Sequence, residues 1–152
     1  MTIKIIAVGK KHESWVLEGI QRYQKRLKRP FDLEWVILPH SSLPNDRARQ
    51  EESQRISLRL NANDYVILMD ETGKPINSID FSKLLTDKLE ASKQIVVIIG
   101  GAFGVDDSIK KRADFVWSLS PLVLPHQLVR LVLTEQIYRA QEISNGNPYH
   151  HS

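Results

Sequence analysis

The sequence predicts a single α/β domain, an open and mostly parallel sheet in three layers. Three observations predict it. Short apolar runs of strand length, Ile3–Val8, Tyr65–Met69 and Ile95–Ile99, alternate with longer segments whose apolar residues fall at helical spacing. Ile95–Ile99 is β-branched at every position, which suits a central strand covered on both faces. No internal repeat, low-complexity tract or linker divides the 152 residues, a length that suits one core.

Ile3–Val8 reads as a buried strand that stops at Gly9. From about His12 to Arg29, Val16, Ile20, Tyr23 and Leu27 form a helical stripe, and Pro30 ends the helix. Leu33–Leu38 is the second strand. Pro39–Asp46 is polar and reads as a mobile loop, and Arg47–Leu60 as a charged helix with a thin apolar face. Tyr65–Met69 is the third strand, closed by the turn Glu71–Pro75. Ser78 can cap a helix carrying Phe81, Leu84, Leu85 and Leu89. After Ile95–Ile99 come the glycine cluster 100–104, a short helix, the strand Phe115–Leu119 and a last helix from about Pro125 to Ser144.

Composition excludes more than it selects. With no cysteine, disulfides, thiolate catalysis and Cys-ligated metals are ruled out. His126 and His150 lack metal-type spacing, so no metal site is expected. Lys and Arg outnumber Asp and Glu by 21 to 18, a mild excess that permits a nucleic-acid partner without demanding one. The clustering of Arg22, Lys25, Arg26, Lys28 and Arg29 is the more pointed signal; it offers phosphate contacts or is only a solvated face. The N-terminus lacks the basic and apolar regions of a signal peptide, and no apolar run approaches the roughly 20 residues that cross a bilayer. A cytoplasmic protein without a membrane partner is expected.

Two segments carry the chemistry. In Trp117–Arg130 an apolar loop, Leu122–Leu124, is bracketed by Pro121 and Pro125. Loops are usually polar because their backbone needs water, so this one suggests a buried ligand wall. The cluster 100–104 follows a strand, where open α/β sheets bind ligands, and its glycines let a backbone come close. Asp106 and Asp107 open the next helix and would repel an anion at its amide end, so a neutral or cationic ligand fits better than a phosphate. Asp70 and Glu71 can accept from ribose hydroxyls or an amino group, or are plain turn carboxylates. In the last helix Arg130, Glu135 and Arg139 lie off the apolar stripe, and Glu135 with Arg139 can be no more than a surface ion pair. The chain closes on Pro148-Tyr149-His150, where Tyr149 can stack on a base or anchor the tail.

The series IIGGAFG, SLSPLVLPHQLVR, EQIYRA and GNPYH, with the AVGK start and the GKP turn, resembles the ribosomal RNA large subunit methyltransferase H family over essentially the whole chain. These are small members of the SPOUT superfamily of S-adenosylmethionine-dependent RNA methyltransferases. The resemblance implies a fold that periodicity does not suggest: a C-terminal segment threading a deep trefoil knot, against the general rule that chains are not knotted. It also implies methylation of N3 of a pseudouridine in large-subunit ribosomal RNA by a homodimer acting on assembled ribosomes.

Carried over by position, it places S-adenosyl-L-methionine against Met69, Gly100, Leu119, Ser120, Pro121, Leu122, Val123 and Leu124. Met69 stands where the family commonly has leucine, and Val123 where it commonly has threonine. Glu135, Tyr149 and His150 are the expected catalytic group, with Glu135 or His150 the proton acceptor and Tyr149 stacking on the target base. Arg22, Arg26, Arg29, His126, Arg130 and Arg139 are the expected RNA contacts. The rival reading is a non-catalytic ribosome- or RNA-binding factor of the same fold, which leaves the apolar loop unexplained.

Overall fold

The structure is a computed structural model that describes residues 2–151. Its elements run β1 (Ile3–Val8), α1 (Ser14–Gln24), β2 (Leu33–Leu38), α2 (Asn45–Ser57), β3 (Tyr65–Lys74), α3 (Ser78–Glu90), β4 (Ile95–Ile99), α4 (Asp107–Arg112), β5 (Phe115–Trp117) and α5 (His126–Ser144). The strands form one sheet in the order β2-β1-β4-β3-β5, with every pair parallel. β4 is the middle strand and all five of its residues are buried, which is why it is apolar throughout.

Alternation along the strands sorts the core into two layers. Ile3, Ile5, Ile67, Val97 and Ile99 face Phe81 and Leu85 of α3 and Leu133 and Ile137 of α5. Ile6, Val8, Leu68, Val96 and Ile98 face Ile56 of α2 and Ile109 of α4. Two helix layers therefore sandwich the sheet, as the sequence predicts. α5 packs along both α1 and α3, so its buried surface is wider than a single stripe.

Five elements differ from expectation, and the first is α2, which runs from Asn45 to Ser57 rather than from Arg47 to Leu60. α1 ends at Gln24 rather than near Arg29, and tight turns follow. Gln141 of α5 accepts from the Lys28 amide at 2.7 Å and donates to the Arg26 carbonyl at 3.1 Å, drawing that backbone out of the helix. The cap of α3 is Asn77, not Ser78; its side chain accepts from the Asp80 amide at 2.8 Å. β5 ends at Trp117, two residues before Leu119.

β3 does not stop at Met69. Met69 and Lys74 both lie opposite Trp117 of β5, so residues 70–73 loop out of the ladder as an enlarged bulge. Gly73 permits this, because a Cβ there would come 2.6 Å from the Val116 carbonyl oxygen. The loop 39–44 is tied down: Ser41 N–H donates to Glu52, and Arg55 donates to the Pro39 carbonyl.

Candidate active site

Parallel strands deliver their carboxyl ends to one edge, and there the bulge 70–73, the glycine turn 100–104 and the loop after β5 surround a cavity of about 400 Å³. Met69, Gly100, Leu119, Ser120, Leu122, Val123 and Leu124 line it, seven of the eight positions expected to hold the methyl donor. Pro121 is outside the lining, and Ser118 and Ser120 bend the loop there through the Ser120 carbonyl and hydroxyl. Leu122 and Val123 are 71% and 81% exposed, so the loop is an open apolar rim rather than a buried wall.

The electrostatics suit a cation. Asp70 and Glu71 stand in the lining. Behind the glycine turn is Glu52 of α2, buried, with Oε2 accepting from the Ser41 amide and Oε1 unpartnered. A Cβ on Gly101 would collide with that Oε1, so glycine is what lets the carboxylate come up against the turn. The rest of α2 braces the same turn: Arg49 donates to the Phe103 carbonyl at 3.0 Å and Ser53 accepts from the Asp106 amide at 3.0 Å. Glu52 is a residue the sequence reading passed over. Its signal was position, since Ala48, Glu52 and Ile56 share one helical stripe and a carboxylate within it needs a reason.

His126, expected as an RNA contact, lies in the cavity wall. Burial and then the Arg130 guanidinium push its pKa down, against a weaker upward pull from Glu52. His12 is pushed down in the same way, by burial and then by Arg130. Arg130 itself is 1% exposed, which corrects its expected role as an RNA contact. It donates to the Lys10 carbonyl at 2.8 Å and meets His12 Nδ1 at 3.3 Å, bracing the segment after β1 onto α5. Being off the regular stripe did not expose it, because α1 and the end of β1 cover that side of α5.

The two lowered histidines set a pH dependence. The unfolded chain binds protons below about pH 6.5, where the folded chain refuses them, so stability is full above that pH and falls as the pH drops through and below it. The melting temperature is expected to be lower at about pH 5.5 than at about pH 7.5, and a His12→Gln/His126→Gln double variant to flatten that slope. Thermal melts across this range check it; an equal slope in the variant would acquit both rings.

The tail and α5 build a second cluster. Glu135 Oε2 accepts from the Tyr149 hydroxyl at 2.9 Å and from Arg139 Nε and Nη2 at 3.1 and 3.0 Å, while Oε1 accepts from Gln136 at 2.7 Å. Arg139 also meets His150 Nδ1 at 3.0 Å and lies over the Tyr149 ring at 4.7 Å. Guanidinium only donates, so Nδ1 is the acceptor and the ring proton sits on Nε2. Burial, and then the bond to Glu135, push the Tyr149 phenol well above its usual range, so it holds its proton at neutral pH. Glu135, Tyr149, His150 and Arg139 are thus together, as the sequence suggested. Gln136 and Ser78, whose hydroxyl donates to Gln136 at 2.7 Å, extend the chain of bonds; the sequence offered Ser78 only as a helix cap and Gln136 only as part of EQIYRA. Arg22, Arg26 and Arg29 are exposed, the last two in the turns beyond α1. Among the described residues no group of three His, Asp or Glu could hold a metal, and no helix is long and apolar enough to cross a membrane.

Comparison with known proteins places this geometry. Residues 1–150 match the family model described as predicted SPOUT methyltransferase. Proteins named ribosomal RNA large subunit methyltransferase H are similar throughout: 41% identical in Desulfitobacterium hafniense strain Y51, 42% in Leuconostoc citreum and 43% in Streptococcus pyogenes serotype M5, each match covering 99% of both chains. A solved structure, a probable methylase family protein from Haemophilus influenzae Rd KW20, shares the fold with a TM-score of 0.55 at 11% identity, over 99% of this chain and 70% of that one. A chain matched end to end at this level, with a parallel sheet opening on a glycine-lined cavity, belongs to the SPOUT methyltransferases and, among them, to the ribosomal RNA large subunit methyltransferase H family.

Proposed function

We propose that this protein methylates N3 of a pseudouridine in large-subunit ribosomal RNA, in the cytoplasm and on assembled ribosomes, with S-adenosyl-L-methionine as donor. The observation that carries the reading is an adjacency. Trp117 and Leu119 line both the donor cavity and a second cavity that holds His150 of the tail cluster, so the donor site and the tail residues lie side by side. When bound, the donor supplies an electrophilic methyl group on a sulfonium. Gly100 and Gly101 give it close backbone approach, and Glu52, Asp70 and Glu71 favour its positive charge. The reading includes a trefoil knot in the C-terminal segment, supported by membership of the SPOUT family.

The task left to the residues is alignment and proton handling. Glu135 has both oxygens engaged and acts first as the post that holds Tyr149 and Arg139. Tyr149 is T-shaped to Tyr138 and covered on one face by Arg139, so its part is to donate to Glu135 rather than to stack freely on a base. The experiment is incubation of the protein and labelled S-adenosyl-L-methionine with unmethylated ribosomes, and separately with free ribosomal RNA, followed by nucleoside analysis. Labelled methylpseudouridine from ribosomes alone is expected; label in neither substrate would leave a binding factor.

The exposed arginines serve ribosome affinity. Reversing charge at Arg26 and Arg29 should weaken binding roughly tenfold at low salt and make the salt slope shallower by about 2. Filter binding across a salt series measures this, and an unchanged slope would remove both residues from the interface. The same reading makes the chain a homodimer paired through α1 and α5. There Trp15 is 52% exposed, and Leu128 and Leu131 line a groove that reaches Glu135. Trp15→Glu is expected to sediment as a monomer while the native chain sediments as a dimer.

A further inference from the structure

The burial of Glu52 is not explained by its structural contacts. It is 3% exposed on α2, beneath the glycine turn that lines the donor cavity. Oε2 accepts from the Ser41 amide at 2.8 Å, a bond that a glutamine oxygen would make equally well. Oε1 has no hydrogen-bond partner, and among the described residues no Lys, Arg or His forms an ion pair with this carboxylate. A buried carboxylate left in this state opposes folding unless something in the working protein compensates it.

The turn above keeps that oxygen close to the cavity. Gly101 has no positive φ, so its backbone would accept a side chain; what excludes one first is Oε1, with which a Cβ would collide. The Gly104 amide closes the turn on the Gly101 carbonyl at 3.0 Å, and Arg49 and Ser53 pin it to α2. Gly101 therefore stays packed on the carboxylate, one residue from the ligand space. The charge is felt there: burial and then Arg130 push the His126 pKa down, and Glu52 supplies the opposing pull upward. Among the described residues no Lys or Arg lines the cavity. Its two lining carboxylates are weaker candidates for reading charge. Glu71 is exposed and screened by water, and Asp70 already accepts from the Thr72 amide and hydroxyl at 3.0 and 3.1 Å.

We propose that Glu52 is the residue by which the cavity tells S-adenosyl-L-methionine from S-adenosyl-L-homocysteine, its demethylated product. The two ligands differ by one methyl group and one positive charge. A buried, uncompensated carboxylate behind the wall favours the charged ligand and lets the neutral one go. Glu52 is outside the lining, so it acts through the turn as a positioning residue. The proposal rests on the methyl-donor reading above and adds the group that sets donor against product.

The test is calorimetry with both ligands on the native chain and on Glu52→Gln, which keeps an acceptor for Ser41 and removes the charge. Glu52→Gln should bind S-adenosyl-L-methionine about tenfold more weakly than native, and S-adenosyl-L-homocysteine within about twofold of native. A displaced turn would weaken both ligands alike, so equal losses, or none, would overturn the proposal. Glu52→Asp, shorter but charged, should keep the native preference even where both affinities fall; a preference lost there too would count against charge and sink the idea. If neither variant folds, the native chain decides with sinefungin, an analogue carrying an ammonium at the sulfonium position. It should bind at least about fivefold tighter than S-adenosyl-L-homocysteine, and equal affinities would refute the assignment. A native chain that binds none of the three ligands would remove the methyl-donor reading itself, whereas native binding with an unchanged preference in Glu52→Gln removes only Glu52.

Discussion

A Gly100→Leu protein is expected to fold and to lose at least about a hundredfold of its affinity for S-adenosyl-L-methionine. Gly100 follows the last residue of β4, the middle strand, and lines the donor cavity. Its φ is not positive, so a side chain there strains no backbone. A Cβ would already sit 3.0 Å from Val105 Cγ1 and 3.4 Å from the Gly104 carbonyl carbon. The remaining atoms of leucine then have only the cavity to enter, and they take the space the ligand needs. Crowding against Val105 should cost about 1–3 kcal/mol of stability, within what a domain of this size can lose. Calorimetry gives the affinity and circular dichroism the fold; native affinity in the folded variant would put the donor somewhere else.

Removing the tail from Tyr149 onward is expected to lower methylation by about a hundredfold or more and to change donor affinity by less than about threefold. Among the described residues none of the tail lines the donor cavity, so binding there should persist. What disappears is the phenol that donates to Glu135 at 2.9 Å, the imidazole that takes one Arg139 hydrogen, and the aromatic ring beneath the guanidinium. Glu135 and Arg139 would keep each other but lose the contacts that set their direction. Tyr149→Phe isolates the hydroxyl: it retains the packing on Tyr138 and should show a smaller loss of the same kind. Single-turnover methylation separates these effects from binding, and a truncated chain running at the native rate would remove the tail from the chemistry.

Much of the architecture was legible in advance for a plain reason. β4 begins and ends where its apolar run does, because a strand buried on both faces must be apolar along its length, and β1 and β2 keep their expected bounds although Lys4 and Glu34 interrupt their runs. The glycine turn and apolar loop were legible as a ligand site because both break a general rule of loop composition. The failures share a different cause. Helical spacing reports one buried stripe, yet α5 is covered by α1 and α3 as well as by the sheet, so Arg130, Thr134 and Gln141 are buried in positions a single stripe leaves outside. Gln141 then ends α1 early by hydrogen bonds 113 and 115 residues away in sequence, a partnership that local propensity cannot register.

From its residues alone the chain declares a three-layer α/β domain, a cation-tolerant pocket at the strand ends and the family that its four C-terminal motifs resemble. All of these follow from patterns local enough to read along a line. Packing in three dimensions assigned the charges. It put Arg130 inside, set Glu52 behind Gly101, and closed Glu135, Arg139, Tyr149 and His150 into one cluster beside a second cavity. A charged side chain acquires its role from whatever lies within a few ångströms, and those neighbours come from distant parts of the chain.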